Sequence, residues 1–73
     1  MAELVHLTVV PNVYEADMVC ALLRTERIDC DHRPTNMGAA ITQGMPSAGH
    51  REVLVDETQL ERAQEIFAAS RDA

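Results

Sequence analysis

Lysine and tryptophan are missing from this 73-residue chain, and Tyr14 and Phe67 are its only aromatic residues apart from histidine. Without aromatic bulk the core has to be built from Leu, Val, Ile, Ala and Met. It is also a small core, because a chain of this size buries only about 60% of its unfolded surface. A small aliphatic core favours association with a second copy or with another domain. The lack of lysine leaves six arginines against twelve Asp and Glu, for a formal net charge of −6. Arg24, Arg27, Arg33 and Arg51 are interleaved with Glu26, Asp29, Asp31 and Glu52, which reads as a solvated face and not a basic patch. An acidic chain repels phosphate backbones, so nucleic acid is excluded as the expected partner.

Long apolar runs are lacking as well. The longest, Met18 to Leu23, falls far short of the roughly 20 residues needed to cross a bilayer, so no membrane association is expected. The opening Met-Ala-Glu-Leu-Val-His has neither the basic region nor the apolar run of a signal peptide. Two cysteines are too few for a disulfide framework. They are expected to stay reduced in a cytoplasmic protein, with Cys20 packing as a small hydrophobe.

What is present is strongly patterned. Leu4 to Val10 is rich in β-branched residues and reads as a strand, with Val5, Leu7 and Val9 on one face and Leu4, His6, Thr8 and Val10 on the other. Pro11 stops it. Asn12-x-x-Glu15 is a capping-box signal, and Ala16, Val19, Cys20 and Leu23 come after it at helical spacing as far as about Arg27. Ile28 to Arg33 alternates as a half-exposed strand ended by Pro34, and Arg51 to Val55 reads as a third strand. Asp56-x-x-Gln59 is a second capping signal, leading into the apolar face Leu60, Ala63, Ile66 and Phe67. The expected order is β-α-β-loop-β-α in a single domain over 1–73. It has an ordered core over 3–68, a long loop over 34–50 and a frayed tail over 70–73. The fold class is α+β: a two-layer ferredoxin-like sandwich lacking its last strand. A first crossover joining neighbouring parallel strands gives the order three-one-two, with the third strand as an apolar edge.

All three glycines lie between residues 38 and 49, in a stretch with no charge from 35 to 49. No Lys follows Gly38 or Gly44 as a phosphate-binding loop requires. Ser47 lacks the preceding glycine of a nucleophile elbow, since Met45 stands there. Asp29 with Asp31, and Asp56 with Glu57, are explained by an exposed strand face and a helix start. Cys20, Cys30, His6, His32 and His50 offer metal-ligating types, with Cys30-x-His32 on one strand face. No Cys-x-x-Cys or His-x-x-x-His pair occurs. No catalytic residue, metal or cofactor is therefore assigned. Apolar residues in a connecting loop remain, and they point to recognition. The candidate partner-binding residues are Met37, Gly38, Ile41, Gly44, Met45 and Pro46; the alternative is that Ala39 to Thr42 folds inward or forms a short strand.

Two stretches, "LVHLTVVPNVYEADMVCALLRTERIDC" and "REVLVDETQLERAQEIF", resemble the two ends of a small bacterial domain family described as signal-transducing proteins. The resemblance rests on Glu15-Ala16, Leu22-Leu23 and the triplet Glu61-Arg62-Ala63, and it covers residues 3–68. It implies a fold like that of the PII-type nitrogen-signalling proteins, whose connection between the second and third strands carries much of their partner recognition. The corresponding stretch here is 34–50. It has no basic residue between Arg33 and Arg51, whereas PII proteins bind nucleotide with such residues. The expectation is a non-catalytic, cytoplasmic signal-transducing module acting through residues 36–49 and a sheet surface. It would be a homodimer or the partner of another protein, the dimer forming through the third strand or the sheet face opposite the helices. The alternative is an effector sensor binding a small molecule in an oligomer cleft beside the same loop.

Overall fold

The run of β-branched residues forms strand β1 (Leu4–Val10), with the bounds read from the sequence. The structure, a computed structural model, describes residues 3–35 and 49–72. Helix α1 (Val13–Thr25) starts where Asn12 leaves an extended backbone and its side chain accepts from the Glu15 amide at 2.8 Å. Only this half of the capping box forms, since the Glu15 carboxylate takes no hydrogen bond among the described residues. Helix α1 ends two residues earlier than expected, in a Schellman motif: the Arg27 amide donates to the Arg24 carbonyl and the Ile28 amide to that of Leu23. Arg27 itself has φ 63°, a left-handed conformation that favours glycine. Arg27→Gly should therefore stabilise the domain by roughly 0.5–1 kcal/mol, read as a higher urea midpoint with an unchanged slope.

That turn shortens the next strand. Ile28, expected to open it, is buried at the end of the helical turn, and β2 runs over Cys30–Pro34. Strand β3 covers Arg51–Asp56. Asp56 then caps a short 3-10 turn, Glu57–Gln59, accepting from the amide and the hydroxyl of Thr58 at 2.9 Å each. Gln59 does not close a capping box. Its side chain accepts from the Asp29 amide and donates to the Arg27 carbonyl, so it clamps the turn between α1 and β2. Helix α2 covers Leu60–Asp72.

The sheet is antiparallel throughout, in the order β1-β3-β2. This corrects the order three-one-two: β1 and β2 run parallel but are separated by β3, so α1 crosses over one intervening strand. Val53 and Val55 are fully buried, which suits a central strand better than an edge. The edges are β1 and β2. Strict alternation also fails in β1, because the register shifts between His6 and Thr8 and leaves Leu7 as an extra residue. Such a bulge reverses the facing of the residues beyond it, and Val10, assigned to the more polar face, is buried at 7% exposure.

Both helices lie on one face of the sheet, α1 mainly over β2 and β3 and α2 over β1. Between the layers lie Ala16, Cys20 and Leu23 of α1, Val53 and Val55 of β3, and Ala63 of α2. Leu7, Val19, Leu60 and Ile66 pack around them. The core is aliphatic, as the shortage of aromatics requires. No helix among the described residues is long and apolar enough to cross a membrane.

Cys20 and Cys30 are joined by a disulfide with a Cα–Cα distance of 5.3 Å, which corrects the expectation of two reduced thiols. The helical spacing that buries Cys20 aims it at β2, where Cys30 alternates onto the same side as His32. Sequence spacing alone cannot show that a helix residue and a strand residue will meet.

Candidate functional site

Two polar constellations lie on opposite sides of the sheet. On the helix side, Asp17 and Cys20 of α1 face His32 and Cys30 of β2. Arg51 donates its Nε–H to His32 Nδ1 at 2.9 Å, so the ring's proton sits on Nε2 and is given to Asp17 Oδ1 at 2.7 Å. One turn further along α1, Arg24 donates to the Cys30 carbonyl at 2.8 Å. Three successive links therefore tie α1 to β2: an acid–histidine bond, a disulfide and an arginine–carbonyl bond. Both nitrogens of His32 are occupied and both sulfurs are spent on each other. These residues hold the fold together and present no nucleophile.

The other side of the sheet carries no helix among the described residues. Alternation in β2 and β3 places Asp31, Arg33, Glu52 and Leu54 there, with Leu4 and His6 of β1 beside them. Glu52 sits in the middle strand and is 5% exposed. Its Oε2 accepts from His6 Nδ1 and its Oε1 from Arg33 Nε, each at 2.8 Å. A carboxylate only accepts, so His6 carries a proton on Nδ1. The bond from His6, and then that from Arg33, hold the Glu52 carboxyl below its ordinary value of 4.5 against the opposing effect of burial. A carboxyl lowered in the fold stabilises it above the unfolded pKa and loses that contribution as pH falls through the folded one. Glu52→Gln should therefore cost about 1–2 kcal/mol at neutral pH. The deficit should shrink steadily as urea midpoints are tracked below pH 4.5. An equal deficit at every pH would show that the charge of Glu52 contributes nothing.

The metal-ligating types do not converge. His6 lies on the face opposite Cys30 and His32, and among the described residues no group of three His, Cys, Asp or Glu side chains could hold a metal ion. The carboxylate pairs separate too: Asp31 accepts from the His32 amide, and Asp56 caps the 3-10 turn.

The candidate partner-binding residues Met37, Gly38, Ile41, Gly44, Met45 and Pro46 lie outside the described residues. The two ends of that segment are described. The Thr35 amide donates to the His50 carbonyl at 3.2 Å, adding one bond to the β2–β3 pairing. Gly49 has φ 111°, and a Cβ there would stand 3.3 Å from the Pro11 carbonyl oxygen. Gly49 thus belongs to the scaffold beside the β1–α1 turn. Sequence reasoning misses the Glu52 row, although the alternation of β2 and β3 carries its signal: Arg33 and Glu52 both fall on the non-core parity.

No protein family, no curated protein and no solved structure matches this chain.

Proposed function

We propose that this domain is a non-catalytic interaction module of the signal-transducing kind that its sequence resembles. It would recognise its partner through the helix-free sheet face and the segment that leaves the sheet beside it. One observation carries the reading: among the described residues the sheet has helices on one side only, which leaves Leu54 beside, and Leu4 (43% exposed) further along the same face from, a carboxylate already held by His6 and Arg33. A surface whose central charge is already paired can be covered by a partner at a lower desolvation cost than a bare carboxylate. The order β1-β3-β2 supports the finer description as a ferredoxin-like sandwich without a fourth strand, since β3 inserts between two parallel strands. Met37, Gly38, Ile41, Gly44, Met45 and Pro46 remain the proposed recognition residues of the segment. The occupant of the sheet face is a second copy of the chain. Because β3 is central, a dimer would form across that face and not along the edge of β3. The Cys20–Cys30 bond favours an oxidising compartment over the cytoplasm expected from the sequence.

Sedimentation velocity tests this reading. The protein should sediment as a dimer at high micromolar concentration, and Leu4→Arg or Leu54→Arg should return it to a monomer with its circular dichroism unchanged. Sedimentation as a monomer throughout would overturn the dimer. Replacing 36–48 by a Gly-Ser linker, with Gly49 kept, should abolish capture of other partners; retained capture would remove the segment from the interface.

A further inference from the structure

We propose that the cavity at the β1–α1 turn binds a small zwitterion with an apolar body, of the class of the apolar α-amino acids. The site lies on the helix side of the sheet and is independent of the proposed interaction face. Its volume is about 350 Å³, at the lower end of the range for small-molecule sites. Its apolar lining comes from Val10 and Pro11, from Met18 and Val19 of α1, and from Phe67 of α2. Met18 is 70% exposed, a large loss for a side chain that a ligand could cover.

Two opposite charges line this apolar cavity, Glu15 from α1 and Arg71 from α2. They form no ion pair with each other or with any other described residue. Being unpaired is common to most exposed charges of this domain; what sets these two apart is that charges of opposite sign, from two different helices, line the same apolar cavity. The Arg71 guanidinium lies over the Phe67 ring, 5.6 Å from its centroid, which places the cation beside the apolar wall. Ser70 donates its hydroxyl proton to the Phe67 carbonyl and so offers the cavity only an acceptor.

This arrangement discriminates by charge. A simple carboxylate would meet Arg71 but also Glu15, in a chain whose net charge is already −6. A simple amine would meet Glu15 and the Ser70 oxygen but also Arg71. A molecule carrying both groups on one carbon, with an apolar side chain to fill the cavity, satisfies each end without burying an unpaired charge.

The test is a titration of the full chain with L-leucine and L-phenylalanine, monitored by amide NMR shifts. It is run in parallel with phenethylamine, which lacks the carboxylate, and 3-phenylpropionate, which lacks the amine. The expected dissociation constant for phenylalanine is about 0.1–1 mM, with shifts centred on Val10, Val19 and Phe67. Each analogue should bind about tenfold more weakly. Glu15 and Arg71 are both exposed, so Glu15→Gln and Arg71→Gln should fold, which their spectra will verify. Glu15→Gln should erase the preference for phenylalanine over 3-phenylpropionate, and Arg71→Gln the preference over phenethylamine. The proposal is overturned by an absence of localised shifts up to about 10 mM ligand, by equal binding of all three probes, or by variants that discriminate as the parent does. None of these results bears on the dimer, which sedimentation reads separately.

Discussion

Replacing both Cys20 and Cys30 by alanine is expected to cost about 3 kcal/mol of stability. The bond closes a short loop, with a sequence separation of 10, and the chain-entropy relation for a loop of that length gives this figure. For a domain of this size it corresponds to a fall in Tm of roughly 10–20 °C. Cys20 is fully buried and Cys30 is 8% exposed, so a dithiol reductant reaches the bond only when the domain opens. The parent should therefore stay oxidised when reductant is added under native conditions, read by thiol labelling, and once it has been unfolded in reductant its midpoint should fall towards that of the double variant. The Asp17–His32 and Arg24–Cys30 links should keep α1 registered on β2 in the variant, so the loss should appear in stability and not in secondary structure. Equal midpoints for the oxidised and reduced proteins would remove the disulfide as a source of stability.

Leu23→Ala should be costlier still. Leu23 is fully buried and is among the largest of the buried side chains, and its carbonyl accepts from both the Glu26 and the Ile28 amides as the helix closes. Leu-to-Ala changes at such sites cost about 3–5 kcal/mol, the spread reflecting how far the neighbours collapse into the space. A chain of this length holds roughly 4–11 kcal/mol in total, so the variant should lose at least about a quarter of its stability, and combining it with the cysteine variant should remove about 6–8 kcal/mol. Leu23→Met, which preserves volume, should cost less than about 1.5 kcal/mol. Urea unfolding of the pair measures the difference. A loss below about 1 kcal/mol for Leu23→Ala would mean that α1 does not pack through Leu23.

Local features are legible in the sequence, and features joining distant segments are not. Strand β1 and the start of α1 can be read from β-branched composition and from Asn12, whose effects act within four residues. The aliphatic core can be read from helical spacing. The end of α1 is hidden because Arg27 occupies a left-handed position where glycine would have announced the turn. The position of β3 is hidden because successive strands are often neighbours, and nothing local in "REVLVD" states which strands flank it. Its run of Val53, Leu54 and Val55 is the one local hint. The disulfide and the Glu52 row each join residues across elements. Parity supplies half of each answer, namely which face a side chain takes, and topology supplies the half that sequence alone lacks.

The bond between Thr35 and His50 brings the chain leaving β2 to within one hydrogen bond of the chain entering β3. Whatever lies between them starts and finishes at a single point. Its length is therefore uncoupled from the register of the sheet, and each doubling adds only about 0.6 kcal/mol in closure entropy. The domain has in effect an exchange port at one end of the sheet, rimmed by Gly49 and the Pro11 carbonyl. Segments of different length and chemistry can be substituted there in evolution or in the laboratory while Leu23, Val53 and the disulfide keep the frame unchanged.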